Sequence, residues 1–134
     1  MFEHTHKIRV RYAETDQMGI VHHSRYAIYL EEARTECMRK IGVPYSDLEK
    51  EGIILPLISM QNRFIASATY DDVLEIKTII KSIPQVRFSL DYEIYRDNQL
   101  INTSNTTLVF VNKSTMKPMK CPDWIIERFN PIFL

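Results

Sequence analysis

SRYAIYLEEARTECMRKIG, Ser24–Gly42, is the stretch from which the rest of the fold follows. At 100° per residue Tyr26, Tyr29, Leu30, Ala33, Cys37 and Ile41 fall within an arc of about 120°, while Glu31, Glu32, Thr35, Glu36 and Arg39 lie outside it. The pattern predicts an amphipathic helix of about 18 residues, ~27 Å long, opened by Ser24 as N-cap and stopped by Gly42 and Pro44. Pro44 to Glu51 reads as a polar turn or short helix at its exit.

On either side the period drops to two. Lys7–Tyr12 alternates, with Ile8, Val10 and Tyr12 on one side and Lys7, Arg9 and Arg11 on the other, as expected of a half-buried strand. Downstream, residues 53–67 read as a long irregular strand. Val73–Ile83 sets Leu74, Ile76, Thr78 and Ile80 against Glu75, Lys77, Ile79 and Lys81, Val86–Tyr95 alternates likewise, and Leu100–Val111 is the last strand. Pro84-Gln85 and Asp97-Asn98 supply turns, so the strands are expected to be hairpin-linked and antiparallel. Asp123–Phe129 adds one or two helical turns.

One apolar helical stripe beside about five strands predicts an α+β domain in which a single antiparallel sheet curls around the helix. The other face of that sheet, with Ile79, Val109 and Val111 among polar residues, stays partly exposed. Its end strands keep unpaired backbone groups, which predicts association of protomers.

The chain has 134 residues, 45% hydrophobic and 25% charged, which reads as one globular domain over residues 1–134. Seventeen Lys+Arg balance seventeen Asp+Glu, so no global field draws the protein to phosphate polymers, and nucleic acid is not an expected partner. Gly19, Gly42 and Gly52 lie too far apart for the dinucleotide fingerprint or the phosphate loop. Cys37 and Cys121 have neither the C-x-x-C spacing of a zinc or redox site nor the density of a disulfide scaffold. No run approaches the ~18 apolar residues of a membrane span, so no integral membrane segment is expected and the cytoplasm is the expected compartment.

The chemistry concentrates in DQMGIVHHSRY, Asp16–Tyr26, where a carboxylate, a glycine turn and two histidines precede the long helix. A helix start exposes free N–H groups and a partial positive charge, which suit a developing oxyanion. A nearby ionised carboxylate is the form required of a nucleophile or of a base that activates water. The same residues have plainer uses: an Asp three residues before a Gly is commonly a turn residue, and adjacent histidines can pack or cap. A metal site from His4, His6, His22 and His23 has no diagnostic spacing here.

YAETDQMGIVHHSRYAIYLEEAR, Tyr12–Arg34, resembles the signature of the hotdog-fold acyl-CoA thioesterases of the 4-hydroxybenzoyl-CoA thioesterase family, especially their Tol-Pal-associated branch. Asp16, Gly19, Ile20, Val21 and Tyr26 match that pattern, and TYDDVLEIKTII, Thr69–Ile80, resembles the family's acidic strand entry. The resemblance spans roughly residues 5–115 and implies a hotdog fold, one long central helix wrapped by a five-stranded antiparallel sheet.

It also implies an enzyme that hydrolyses an acyl-CoA thioester to free acid and CoA. Asp16 takes the position of the catalytic carboxylate, nucleophile or general base, and His23 that of the residue whose N–H, beside Gly19, polarises the thioester carbonyl and which is a functional histidine in the Tol-Pal-associated branch. Tyr12 matches a tyrosine implicated at the site in the Tol-Pal-associated branch, and His22 stands where packing aromatics are common. Tyr26, Arg63 and Arg87 are the implied substrate-binding residues, with Lys81 a further basic group for CoA phosphates. Cofactors and metals are not implied, because CoA belongs to the substrate. A homodimer or homotetramer is. Two departures stand out: Arg25 where many relatives have Asn, and FIASA before Tyr70 where a Pro-Ala pair is usual. Tyr29, Leu57, Ile58 and Met60 are candidates for the acyl pocket. The competing readings are a non-hydrolysing acyl-thioester binding module and a hotdog dehydratase or hydratase.

Overall fold

In the computed structural model, which describes residues 1–133, the long helix α1 runs from Ser24 to Ile41. It buries Tyr26, Tyr29, Leu30, Ala33 and Cys37 of the apolar arc together with Met38 and Arg34 beside it, while Ile41, at the last turn of the arc, is half-buried. His23 rather than Ser24 is its N-cap, so Ser24 is the first helical residue. Gly42 closes it at φ +96°, donating its N–H to the carbonyls of Met38 and Arg39 at 3.1 Å each, while Val43 N–H reaches Met38 at 2.9 Å. This left-handed closure satisfies two end carbonyls and is open to glycine without strain. The short helix α2, Tyr45–Lys50, follows.

Five strands form one antiparallel sheet: β1 (Phe2–Arg9), β3 (Leu57–Phe64), β4 (Val73–Ile80), β5 (Arg87–Arg96) and β6 (Gln99–Val109), in the order β1-β4-β5-β6-β3. Leu74, Ile76, Ile80, Leu90, Ile94 and Ile101 are fully buried and supply the wall on which Leu30, Ala33 and Cys37 of α1 rest. The β5–β6 hairpin turns at Asp97 (φ 49°) and Asn98 (φ 65°), both positive as a two-residue hairpin loop matching the strand twist requires.

Several boundaries differ from those the pattern predicts. The first strand ends at Arg9, and Tyr12–Glu14 forms a 3-10 turn, so Tyr12 leaves the apolar face and is 77% exposed. The long irregular strand divides at Leu55-Pro56 into β2 (Ile53–Ile54) and β3, because proline withdraws an N–H from the ladder. β2 joins β7 (Val111–Asn112) and β8 (Lys117–Pro118) in a small second sheet that alternation alone does not announce. The C-terminal helix α3 runs over Asp123–Phe133, three turns rather than one or two, and buries Ile125 and Phe129 against Phe88.

Candidate active site

The loop before α1 is held from both sides. Val10 N–H donates to Asp72 and Asp71 N–H to Val10, pinning the exit of β1 beside the Thr69–Asp72 turn. The Glu14 carboxylate, only 4% exposed, accepts from Arg11 N–H at 2.8 Å, from Arg11 Nε and Nη2 at 3.2 and 3.0 Å, and from Tyr29 Oη at 2.9 Å. Burial by itself would raise its pKa, but the Arg11 amide, the Tyr29 hydroxyl and the Arg11 guanidinium more than offset it and hold Glu14 below the ordinary carboxylate value. The same bond and burial push the Tyr29 hydroxyl up. His22 N–H then donates to Glu14 carbonyl at 2.9 Å, tying the far end of the loop to its start.

Between these ties, Asp16–Ile20 is a tight turn. Asp16 N–H donates to Ile20 at 2.9 Å, Gly19 N–H to the Asp16 carbonyl at 3.0 Å, and Met18 N–H to Asp16 Oδ1 at 2.9 Å. Gly19 takes φ +78°, the conformation that lets the chain reverse. Isolated bridges Thr15↔Val21 and Ile20↔Thr69, with Val21 N–H on Ala68 at 2.9 Å, lay the turn against the segment that follows β3. Asp16 Oδ2 has no partner among the described residues.

A cavity of about 260 Å³ opens there, lined by Asp16, Met18, Val21, His23, Tyr26 and Phe64 among others. Asp16, half-buried, thus shares one recess with the N-cap of α1. The His23 N–H has no acceptor among the described residues, whereas the Ser24 amide approaches His22 Nδ1 at 3.3 Å. An unpaired donor at the positive end of an 18-residue helix is what a developing oxyanion needs. Tyr26 is buried, its ring edge-on to Phe64 at 5.1 Å and to Tyr29 at 5.8 Å.

The other residues singled out from the sequence lie elsewhere in the protomer. Tyr12 stands outside the cavity, edge-on to Tyr70 at 5.6 Å. Arg63 and Lys81 border a shallow hollow on the outer face of the sheet. Arg87 shares that face, yet Arg63 is level with Thr103 and Glu93, so six residues of β5, about 20 Å, separate the two along the strands. His22 stacks on His23 with ring centroids 4.1 Å apart and bonds Ser24 Oγ at 2.8 Å, while His6 Nε2 meets Glu32 at 2.7 Å, so the four histidines do not converge. Among the described residues no three His, Cys, Asp or Glu side chains gather as a metal would require. Burial pushes the thiols of Cys37 and Cys121 up to about 12, leaving neither as a thiolate nucleophile.

Two structural parts escape sequence reading. Glu14 looks like one more surface acid, and only the fold brings Tyr29 to it. The far wall of the cavity comes from the FIASA segment, where Ile65 and Ala66 N–H both donate to Ile101, at 2.9 and 3.1 Å, so it hugs β6 after β3 ends.

A sequence profile described as the thioesterase-like superfamily matches residues 10–129. The chain is 32% identical over 123 residues to the putative acyl-CoA thioesterase YneP of Bacillus subtilis, covering 88% of this chain and 89% of that one. It is 32% identical over 123 residues to the acyl-CoA thioester hydrolase YbgC of Escherichia coli O157:H7, covering 91% and 92%. Among solved structures it superposes on the DHNA-CoA thioesterase of Staphylococcus aureus with a TM-score of 0.92 at 33% identity, over 99% of this chain and 92% of that one. The 4-hydroxybenzoyl-CoA thioesterase of Pseudomonas sp. strain CBS-3 superposes with a TM-score of 0.84 at 27% identity, over 94% and 98%. The wrapped helix of this chain is therefore the hotdog arrangement of those enzymes.

Proposed function

Because the chain belongs to the thioesterase-like superfamily, we propose that it hydrolyses an acyl-CoA thioester to free acid and CoA, with Asp16 and the start of α1 as its catalytic parts. One observation carries this reading: Asp16 and the unpaired His23 N–H line a single recess at the positive end of the helix. A thioester carbonyl bound with its oxygen on that amide presents its carbon to Asp16, which either attacks it or takes a proton from the water that does. Negative charge then collects on an oxygen facing a fixed donor and a helix dipole, neither of which has to reorganise. The CoA thiolate leaves without a strong acid, since its conjugate thiol is already acidic by the standard of alcohols.

The resemblance to the Tol-Pal-associated branch supports placing the chain in that branch, with Tyr12 as the auxiliary residue and Tyr26 against the substrate. We read Arg63 and Arg87 as reserved for CoA phosphates at a junction between protomers, because within one protomer they face away from the cavity. One domain over residues 1–134, a homodimer or homotetramer, and a cytoplasmic location complete the reading. No helix among the described residues is long and apolar enough to cross a membrane. The decisive experiment is Asp16→Asn, assayed by thiol release from acyl-CoA esters. The expected loss is about 10²-fold or more in kcat with unchanged thermal unfolding; near-native turnover would remove Asp16 from the mechanism.

A further inference from the structure

Arg34, in the middle of α1, is only 7% exposed. Its Nε donates to Tyr45 Oη at 3.1 Å and its Nη1 to Tyr92 Oη at 3.3 Å, and among the described residues no carboxylate stands within ion-pair distance of it. A guanidinium keeps its proton in such surroundings, so this is a buried positive charge whose partners are neutral hydroxyls, and three of its five N–H donors are not used by them. Buried charges are ordinarily paired.

The same side chain lines a cavity of about 270 Å³ between α1 and the start of β3, with Ile28, Leu55, Leu57, Met60 and Thr106. Glu31, exposed at the rim of this cavity, is the other ionisable group there and forms no ion pair among the described residues. This cavity and the recess of Asp16 lie along one seam. To the recess α1 gives Tyr26 and β3 gives Phe64; to the second cavity they give Arg34 and Met60. Met60 and Phe64 share the face of β3 whose cross-strand partners, Thr106 and Asn102, are buried. From Tyr26 to Arg34 the helix advances by about 12 Å. Between the two cavities that face carries Asn62, which accepts from Ser104 Oγ at 2.6 Å, and the buried Nδ2 of Asn102 opposite Phe64 has no partner among the described residues.

We propose that the acyl group of the substrate runs along this seam and ends in a carboxylate held by Arg34, so that the preferred substrates are CoA monothioesters of dicarboxylic acids. The proposal rests on the thioesterase reading above and specifies its acyl end. A carboxylate supplies the charge that the guanidinium lacks, through paired N–H donors, whereas a hydrocarbon tail leaves a desolvated cation beside it. The stem of the acyl chain meets Ile28, Leu57 and Met60, which explains why an apolar groove has a charged end.

The test compares thiol release from glutaryl-, adipoyl- and suberoyl-CoA with that from pentanoyl-, hexanoyl- and octanoyl-CoA. At least one dicarboxylic ester should exceed the straight-chain ester of equal carbon number by about tenfold or more in kcat/KM. Arg34→Gln should collapse that ratio towards one. Glu31→Gln, at an exposed position that the fold does not depend on, should raise it severalfold by removing a repelling charge. A purely structural Arg34 would lower both esters together and leave the ratio untouched. Straight-chain esters hydrolysed as well as the dicarboxylic ones would overturn the proposal while leaving hydrolysis standing; no thiol from any of the six would overturn it too, and 4-hydroxybenzoyl-CoA left equally intact would overturn hydrolysis with it.

Discussion

Glu14 and Asp16 are carboxylates two positions apart in the chain with different surroundings. Glu14 is enclosed by Arg11 and Tyr29 and has its hydrogen-bonding capacity taken up, whereas Asp16 keeps one oxygen unpartnered in an open recess. Because its neighbours hold Glu14 below the ordinary value in the folded state, its contribution is full above the unfolded carboxylate pKa, about 4.5, and fades as pH falls through the folded value. The urea midpoint should therefore drop more steeply below pH ~4.5 in the parent than in Glu14→Gln, which itself should lose about 1–3 kcal/mol at pH 7 through the broken network. An equal acid response in both chains would assign the network no weight. At His23 the proposed oxyanion role belongs to the main chain and not to the ring. His23→Ala keeps that amide, so kcat should fall less than about tenfold, well short of the loss at Asp16; an equal loss would move the role to the imidazole. The acid–turn–histidine constellation was visible in the sequence because its members are neighbours. The anchor at Glu14 was not, since Tyr29 lies fifteen residues away on a helix whose rotation no local pattern specifies.

Helix α1 lines both cavities, with Tyr26 in one and Arg34 in the other, so its seating on the sheet sets the geometry of the recess. Ala33 is fully buried in the core with Leu30, Cys37 and the inner residues of the sheet. Ala33→Leu adds volume to a filled interior and should cost about 1–3 kcal/mol, read from chemical denaturation. A neutral result would mean that the helix rides higher on the sheet than the packing implies. The period of α1 and its stop at Gly42 were legible because both are local: spacing of apolar residues, then a residue that takes φ +96° freely. Arg34 was not, because a single cation at the margin of an apolar arc reads as a surface residue until Tyr45 and Tyr92 close over it. The 3-10 turn at Tyr12–Glu14 closes through Glu14 N–H on the Arg11 carbonyl at 3.0 Å and Thr15 N–H on that of Tyr12 at 3.1 Å, bonds that an alternation of side chains does not register.

On the scale of the whole molecule, the two edges of the sheet differ. The outer positions of β1 carry Glu3, Lys7 and Arg9, charges that discourage further strand pairing. Edge strand β3 instead exposes Leu57, Ile58, Met60 and Phe64, each between 40% and 52%. Such an apolar edge is where the second copy proposed above would pair, and it flanks both cavities. Ile58→Lys, outside either lining, should shift the sedimentation profile from dimer towards monomer and lower thiol release with it. A parent chain that sediments as a monomer at micromolar concentration would refute this assembly. The sequence by itself determined the helix, the alternating strands, their antiparallel linkage and the loop where the chemistry sits, since each is written in spacings of a few residues. Tertiary structure decided which charges are buried, which strand is left at an apolar edge and how two cavities align along one seam. Those outcomes depend on contacts between segments tens of residues apart, whose relative rotation and register are set only when the whole core closes.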